Sequence, residues 1–238
     1  MELVRRFLPD APQSYFLFGP RGTGKSTWIK NRYPDALYID LLLPDVFREF
    51  SARPERLSQL IEGQSRTTVI VDEVQKVPQV LPVVHQLIQK EKGLKFILTG
   101  SSARKLKRTG VDLLGGRAVL RTMHPFMAGE LGDGFDFKRA LAEGMLPIVW
   151  RAADPADVLR TYAALYLKEE VQMEGLTRNV GNFARFLESV SFSHGSVLNT
   201  SEVSRECRVP RKAVEGYIEI LEDLLLAFRL TVFSKRAK

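Results

Sequence analysis

The stretch GPRGTGKS at Gly19–Ser26 fits the G-x-x-x-x-G-K-[ST] pattern of a phosphate-binding loop. Before it stands the aromatic and apolar run SYFLF at Ser14–Phe18, which is typical of a buried strand. After it, TWIKNRYP predicts a helix that ends before Pro34. Glycines let the backbone turn tightly around an anion, and the start of a helix presents a positive dipole end to it. Strand, loop and helix in this order predict a bound nucleoside triphosphate rather than a chance glycine-rich turn.

Each residue of this loop has its own expected role. Lys25 would reach the β- and γ-phosphates, and the Ser26 hydroxyl would ligate Mg²⁺. Arg21 has no fixed role in the pattern, and a solvated side chain is the default for it. The residues expected to contact the nucleotide are Gly19, Pro20, Arg21, Gly22, Thr23, Gly24, Lys25, Ser26 and Thr27.

Two adjacent carboxylates stand near the end of the β-branched run TTVIVDEV at Thr67–Val74. Unpaired charge at the end of a buried strand is costly, and a metal ion would explain it. Asp72 would hold Mg²⁺ directly or through its water, and Glu73 would orient and deprotonate the attacking water. An acidic loop start after a core strand is the simpler alternative, which the upstream loop disfavours. The second acid favours hydrolysis over nucleotide sensing alone.

Hydroxyl groups follow another apolar run, in KFILTGSS. Thr99, with Ser101 as second choice, is expected to hydrogen-bond the γ-phosphate or the attacking water, although such residues also form simple turns. Further on, LLGGR places Arg117 after two glycines. An arginine there can stabilise transition-state charge, in cis or across a subunit contact. From spacing alone, a surface arginine is the favoured alternative.

Candidate strands alternate with helices, which predicts βαβ units and a mainly parallel sheet covered on both faces. The expected fold class is α/β, a three-layer α/β/α P-loop NTPase core followed by a helical segment and a winged helix-turn-helix. Because ligands bind outside the carboxyl ends of parallel strands, the three motifs should meet at one edge. The strands are predicted at Ser14–Phe18, Ala36–Leu41, Thr67–Val74, Leu94–Ser102 and Ala118–Arg121.

Three domains are predicted along the chain. They are a P-loop ATPase domain at residues 1–130, a helical connecting region at 131–195, and a winged-helix-like module at 196–238. In the connecting region, helical periodicity predicts helices at Phe137–Glu143, Pro155–Glu170 and Phe183–Phe192.

The C-terminal module has a layout of its own. Thr200 or Ser201 is expected to cap a helix that runs through Cys207, and Pro210 opens a second helix after a tight turn. The run LAFRLTVF after them is a candidate wing strand. Basic residues at the turn could contact DNA, whereas acidic residues on the second helix would repel phosphate; a protein-contact or lid module is the alternative. The basic set is Arg208, Arg211 and Lys212, and the acidic set is Glu215, Glu219, Glu222 and Asp223.

The composition of the chain limits which classes of protein it can belong to. The chain has 238 residues and a formal net charge of +7, which permits contact with nucleic acid without requiring it. Its one cysteine, Cys207, excludes an internal disulfide and fits a reducing cytosol, and its scattered histidines suggest no zinc site. No apolar stretch is long enough to cross a bilayer. The prediction is a cytoplasmic protein with no membrane partner.

Taken together, GPRGTGKS, VIVDEVQ, FILTGSS and LLGGR resemble the motifs of bacterial and archaeal AAA-type ATPases with a DUF4143 C-terminal region. The resemblance covers nearly the whole chain and implies an ASCE-type core, with a strand added between the two Walker strands. Members of that family continue past the winged helix, so a chain that stops at FSKRAK is expected to be truncated or short. The resemblance implies P-loop roles for Lys25 and Ser26, metal and base roles for Asp72 and Glu73, a sensor position at Thr99, and the family arginine at Arg117.

The sequence thus predicts Mg²⁺-dependent binding and hydrolysis of ATP coupled to a conformational switch, with ATP and Mg²⁺ as cofactors. The alternative is a nucleotide-gated DNA-binding protein that acts through the winged helix. A GTPase is less favoured because no NKxD-type base-reading motif follows the sensor strand. A small-molecule kinase is opposed by the Glu73 base and the C-terminal helices. A homo-oligomer or another protein partner is compatible with an arginine that acts across a subunit contact.

Overall fold

The structure is a computed structural model, and it describes residues 3–63, 66–91, 93–101, 106, 114–166 and 180–231. The chain divides into two compact units, residues 1–162 and 163–238. Residues 131–162 therefore lie within the first unit, whereas the domain boundaries expected at 130 and 195 stay a prediction. No helix in the described part of the chain is both long and apolar enough to span a bilayer.

Five parallel strands form the sheet of the first unit: β1 (Tyr15–Phe18), β2 (Leu37–Asp40), β3 (Thr68–Asp72), β4 (Lys95–Gly100) and β5 (Val119–Thr122). Their order across the sheet is β2-β3-β4-β1-β5. The strand β4 therefore lies between β1, which leads into the phosphate loop, and β3, which leads into the acidic pair. This is the added strand that the family resemblance implied.

Helices flank this sheet and bury its apolar side chains. Leu17, Ile70 and Ile97 from three neighbouring strands pack with Ile29 in one buried cluster. The parallel sheet with flanking helices confirms the predicted α/β class. In the described part of the first unit, the helices are α1 (Lys25–Arg32), α2 (Pro44–Ala52), α3 (Arg56–Glu62), α4 (Val80–Lys90), α5 (Ala128–Leu131), α6 (Phe137–Glu143), α7 (Pro147–Trp150) and α8 (Pro155–Thr161).

Two of these helices differ from the sequence prediction. The helix α2 had no predicted counterpart, although Val46, Phe47 and Phe50 fall at helical spacing and Phe50 is buried. Pro44 in its first turn was a second available signal. The helix predicted at Pro155–Glu170 ends at Thr161 and continues as a π-helical turn, Tyr162–Tyr166. Residues 167–170 lie outside the described part of the chain.

The second unit contains the helices α9 (Val180–Ser191), α10 (Thr200–Cys207) and α11 (Arg211–Asp223) among its described residues. Asn199 caps α10, rather than Thr200 or Ser201, because its side-chain oxygen accepts hydrogen bonds from the next two free N–H groups. Arg208, at the tight turn after α10, adopts a left-handed conformation with φ of 54°.

The predicted wing strand in LAFRLTVF is not shown. The described residues that follow α11, through Thr231, form no strand, and residues 232 and 233 lie outside the described part. The two helices before it share a core that contains Val203, Cys207, Val214 and Ile218. The two predicted helices and the tight turn between them are therefore present, and the winged helix-turn-helix stays a prediction.

Candidate nucleotide-binding site

Two glycines of the phosphate loop occupy positions that a side chain would disturb. Gly24 precedes α1 with φ of 86° and ψ of 23°, a left-handed conformation that residues with a Cβ rarely adopt. A Cβ on Gly19 would lie 2.2 Å from the carbonyl oxygen of Met123, on the segment after β5. The loop thus needs glycine at one end for its conformation and at the other for close backbone approach.

The Lys25 ammonium group lies inside this loop. Its Nζ donates hydrogen bonds to the carbonyl oxygens of Gly19 at 2.6 Å and Pro20 at 3.1 Å, and the residue is 6% exposed. The Thr23 hydroxyl donates to the same Pro20 carbonyl at 2.9 Å. A cation held by the loop's own carbonyls is placed to bind an anion that enters the loop.

Three hydroxyl groups converge on the Asp72 carboxylate, which is almost fully buried. Ser26 Oγ donates to Asp72 Oδ2 at 2.7 Å, the Tyr38 hydroxyl donates to the same oxygen, and the Thr99 hydroxyl donates to Oδ1. Burial, followed by the hydrogen bond to Asp72, raises the pKa of Tyr38, so this hydroxyl stays protonated. The start of α1, β2 and β4 therefore meet at the end of β3.

The sequence predicted no role for Tyr38. The residue lies on β2, whose pairing with β3 sets Asp40 opposite Asp72, so Tyr38 stands two residues before the level of that carboxylate. Its hydroxyl reaches Asp72 only because β2 and β3 are neighbours in the sheet. No local pattern in ALYIDL predicts that pairing. A phenol between the apolar residues Leu37 and Ile39 was the one signal available.

Ser26 and Asp72 fit a Mg²⁺ ion by the chemistry of their donors. Mg²⁺ prefers oxygen ligands and is commonly bound through one or two carboxylates together with substrate phosphates. The hydroxyl and the carboxylate lie in direct contact beside the phosphate loop. In the described ranges, no group of three or more histidine, cysteine, aspartate or glutamate side chains forms a dedicated metal cage. The donor set therefore suits a metal that arrives with phosphates.

Glu73 adopts an unusual backbone conformation for a glutamate. Its φ of 59° and ψ of 46° lie in the left-handed region, which costs about 1 kcal/mol for a residue with a side chain. Its N–H donates to Thr99 Oγ1 at 3.1 Å, and its carboxylate accepts from the Gln75 amide. Backbone strain that surrounding contacts maintain is typical of functional sites.

The environment of the Glu73 carboxyl favours its protonated form. Burial raises its pKa, the nearby Lys25 charge acts in the opposite direction, and Asp72 raises the pKa further. The net shift is upward, so Glu73 holds a proton at a higher pH than an exposed glutamate does. A carboxylate with a raised pKa is a better general base near neutral pH.

The raised pKa of Glu73 predicts a pH-dependent stability difference in the nucleotide-free protein. The stability contributed by protonated Glu73 is lost as pH rises through its folded-state pKa. We therefore expect Glu73→Gln to raise the melting temperature at about pH 8, and this gain to shrink toward about pH 5. Thermal unfolding at several pH values measures it, with the exposed Glu62→Gln as control. A gain that is the same at every pH would contradict the assignment.

Gln75 links the acidic pair to the second hydroxyl candidate. Its amide Nε2 contacts both the Glu73 carboxylate and, at 3.4 Å, Ser101 Oγ. Its Oε1 has no hydrogen-bond partner among the described residues, although the side chain is buried. The structure thus places Thr99 against Asp72 and Ser101 against Gln75. Gln75 is the last residue of the motif VIVDEVQ, and no contact was predicted for it.

The two loop arginines occupy different surroundings. Arg117 is exposed, after the 3₁₀ turn Leu114–Gly116, and no hydrogen bond or ion pair in the described part joins it to the phosphate loop. Arg21 is half-buried and lies close enough to Glu73 that its charge acts against the burial that raises the pKa of Glu73. Arg21 is therefore partly buried near Glu73 and is not the fully solvated side chain that the sequence alone suggested.

A cavity of about 450 Å³ opens beside the phosphate loop and the start of α1. Its volume and largely apolar lining fit a small organic ligand such as a nucleoside. The walls come from the N-terminal segment, the first turn of α1 and the segments after β5. They include Leu3, Val4, Thr27, Trp28, Phe126 and Ile148.

The chain is 23% identical over 234 residues to the uncharacterized proteins Mb2031c of Mycobacterium bovis and Rv2008c of Mycobacterium tuberculosis. These alignments cover 96% of the chain and 52% of each relative, so the chain spans about half the length of the curated relatives it matches. A DNA polymerase III gamma subunit-related protein from Thermotoga maritima is similar in structure, with a TM-score of 0.33 and 9% identity over 89% of this chain and 93% of that chain.

The second half of the chain gives a correction. Residues 134–238 match a domain of unknown function, DUF8612. The DUF4143 region that the motif resemblance implied is therefore not shown, and a different family matches in its place.

The first half contains the phosphate loop, the acidic pair and the hydroxyl groups that meet at the end of the sheet. Residues 11–132, just over half of the chain, match the AAA domain family. The chain therefore belongs to the AAA domain family.

Proposed function

We propose that this chain binds ATP with Mg²⁺, hydrolyses it, and couples hydrolysis to a conformational switch. The observation that supports this most is the contact between Ser26 and Asp72 beside the buried Lys25 ammonium group. The residues come from the phosphate loop, α1 and β3, and they meet where the parallel strands end. A nucleotide-binding AAA protein needs this combination of cation, hydroxyl and carboxylate at its triphosphate.

The chain's own residues divide the chemistry among them. The loop N–H groups and Lys25 bind the β- and γ-phosphates, and Ser26 with Asp72 would hold Mg²⁺. When bound, Mg²⁺ would supply positive charge that offsets the charge of the phosphates. Glu73 accepts a proton from a water whose oxygen forms a bond to the γ-phosphorus, while the bond from that phosphorus to ADP breaks. Thr99 positions the Asp72 carboxylate and the Glu73 N–H at the same time.

The cavity beside the loop supports a purine nucleoside as the other half of the ligand. It adjoins Gly24 and Thr27, so a nucleotide with its phosphates in the loop would direct its ribose and base into the cavity. The apolar walls suit an aromatic base. ATP is preferred over GTP in this proposal because the chain has no NKxD-type motif.

The test of this function is steady-state phosphate release by the wild-type chain. We expect release from ATP to exceed release from GTP and to disappear when EDTA removes the metal. We also expect no dependence on added double-stranded DNA. Failure of Mg-ATP to bind, measured by calorimetry on the same protein, would contradict the proposal.

Charges on α11 support the ATPase over nucleotide-gated DNA binding. Arg211 Nε, at the start of this helix, is paired with Glu215 Oε1 at 3.0 Å. Glu219 and Asp223 continue an exposed acidic line at helical spacing. Because such a line repels phosphate groups, this face of the helix is poorly suited to DNA.

We propose that Arg117 acts across a contact between two copies of the chain, since it is exposed in one copy. Arg117→Ala should lower ATP turnover about 1,000-fold or more and leave nucleotide affinity unchanged. Mixing Arg117→Ala, which keeps its loop, with Lys25→Ala, which keeps its arginine, should recover turnover that neither variant has alone. The measurement is phosphate release from each variant and from the mixture. Wild-type turnover by Arg117→Ala would return this residue to a surface role.

A further inference from the structure

A buried ion pair joins the N-terminal segment to α5. Arg6 Nε lies 3.1 Å from both carboxylate oxygens of Glu130, and the two side chains are 8% and 2% exposed. The Glu130 carboxylate also accepts the N–H of Phe7 at 2.6 Å and the N–H of Met127 at 3.1 Å. Its charge is thus fully compensated inside the protein, as a buried carboxylate requires.

The far end of the Arg6 guanidinium reaches the phosphate loop. Nη1 donates to the carbonyl oxygen of Thr23 at 2.8 Å, and Nη2 donates to the carbonyl oxygens of His124 at 2.5 Å and Pro125 at 3.3 Å. Its charge is already paired with Glu130. Arg6 is therefore placed to hold the loop backbone rather than to neutralise a phosphate.

The contact with Thr23 has a consequence for the residue after it. The Thr23 carbonyl and the Gly24 N–H belong to one planar trans peptide group, so they point in opposite directions. A carbonyl held outward by Arg6 directs the Gly24 N–H away from Arg6, toward the anion that the loop pattern encloses. Glycine adopts positive and negative φ values with similar ease, and Gly24 has a positive φ. Without the hydrogen bond from Arg6, the Thr23–Gly24 peptide group could therefore rotate at little cost.

We propose that Arg6 is a positioning residue of the phosphate site. It fixes the Thr23–Gly24 peptide group with its N–H directed to the phosphates, and it thereby sets the affinity of the loop for them. This inference rests on the proposed binding of ATP. No local sequence pattern points to Arg6, because its partners lie 17 to 124 residues away along the chain.

The test compares two variants that share the substitution Glu130→Gln. Removing Arg6 alone would leave a buried carboxylate unpaired, so Glu130→Gln by itself is the matched control and the second variant adds Arg6→Met. Relative to the control, we expect Arg6→Met to weaken the binding of ATP and ADP about tenfold and to leave adenosine binding unchanged. Calorimetry and competition against a fluorescent nucleotide give the affinities.

A conservative variant keeps the test informative if Arg6→Met does not fold. Arg6→Lys with native Glu130 keeps the ion pair but cannot span the same carbonyls, so it should weaken ADP binding and spare adenosine. Equal weakening for adenosine would overturn the inference, because Arg6 would then act on the base cavity that it also lines. Unchanged affinity for ATP and ADP would overturn it as well. If the wild type itself binds no ATP, the proposed function fails instead.

Discussion

Lys25→Ala should weaken nucleotide binding strongly and remove ATP turnover, because no other ammonium group lies inside the described part of the phosphate loop. The Lys25 side chain is buried and its Nζ is held by two loop carbonyls. An entering triphosphate would accept charge-assisted hydrogen bonds from this group. Loss of two such bonds predicts binding weaker by about 100-fold.

Titration of a fluorescent ATP analogue, followed by phosphate release at saturating ATP, measures both losses. Lys90→Ala is the matched control, since Lys90 is an exposed lysine at the end of α4 and its loss changes the net charge equally. The control should bind and turn over ATP as the wild type does. Retained affinity in Lys25→Ala, with an intact fold by circular dichroism, would remove the phosphate site from the proposal.

Glu73→Gln should separate binding from hydrolysis. The amide is nearly the same size and can still contact Gln75, but it cannot accept a proton from the attacking water. We expect ATP affinity to be kept and turnover to fall about 100- to 10,000-fold, the range for loss of a general base. The fall should be seen in single-turnover experiments as well, because the chemical step itself is slowed.

Glu62→Gln provides the comparison, because it makes the same chemical change at an exposed position at the end of α3. Its turnover should match the wild type. The pH profile adds a second readout: wild-type turnover should fall on acidification at a pH above the ordinary range of glutamate, because burial raises the pKa of Glu73. Hydrolysis by Glu73→Gln at the wild-type rate would show that another group takes the proton.

The parts of the site that the sequence predicted share one property: they depend on local backbone geometry. The loop needs glycine at Gly19 and Gly24, a lysine and a serine at fixed offsets, and a strand before and a helix after. Each requirement is met within a few consecutive residues, so a short sequence motif is enough to predict it. The strand bounds followed for the same reason, because short apolar runs between turn residues are themselves local.

The prediction was weaker where structure depends on contacts between distant segments. Two local features were also missed: the helix α2 had no predicted counterpart, and the cap of α10 lies one residue before its predicted position. The wing strand stays untested, and the C-terminal family differs from the one that the motifs implied.

By itself, the sequence determined that this chain has a phosphate loop at the start of a parallel α/β core, with an acidic pair at a later strand end. Only the tertiary structure decided which side chains meet there: Tyr38 and Thr99 on Asp72, and Arg6 on the loop carbonyl of Thr23. The physical reason is that strand order and the packing of the N-terminal segment set these contacts. Neither leaves a local pattern, because each contact joins residues that are far apart along the chain.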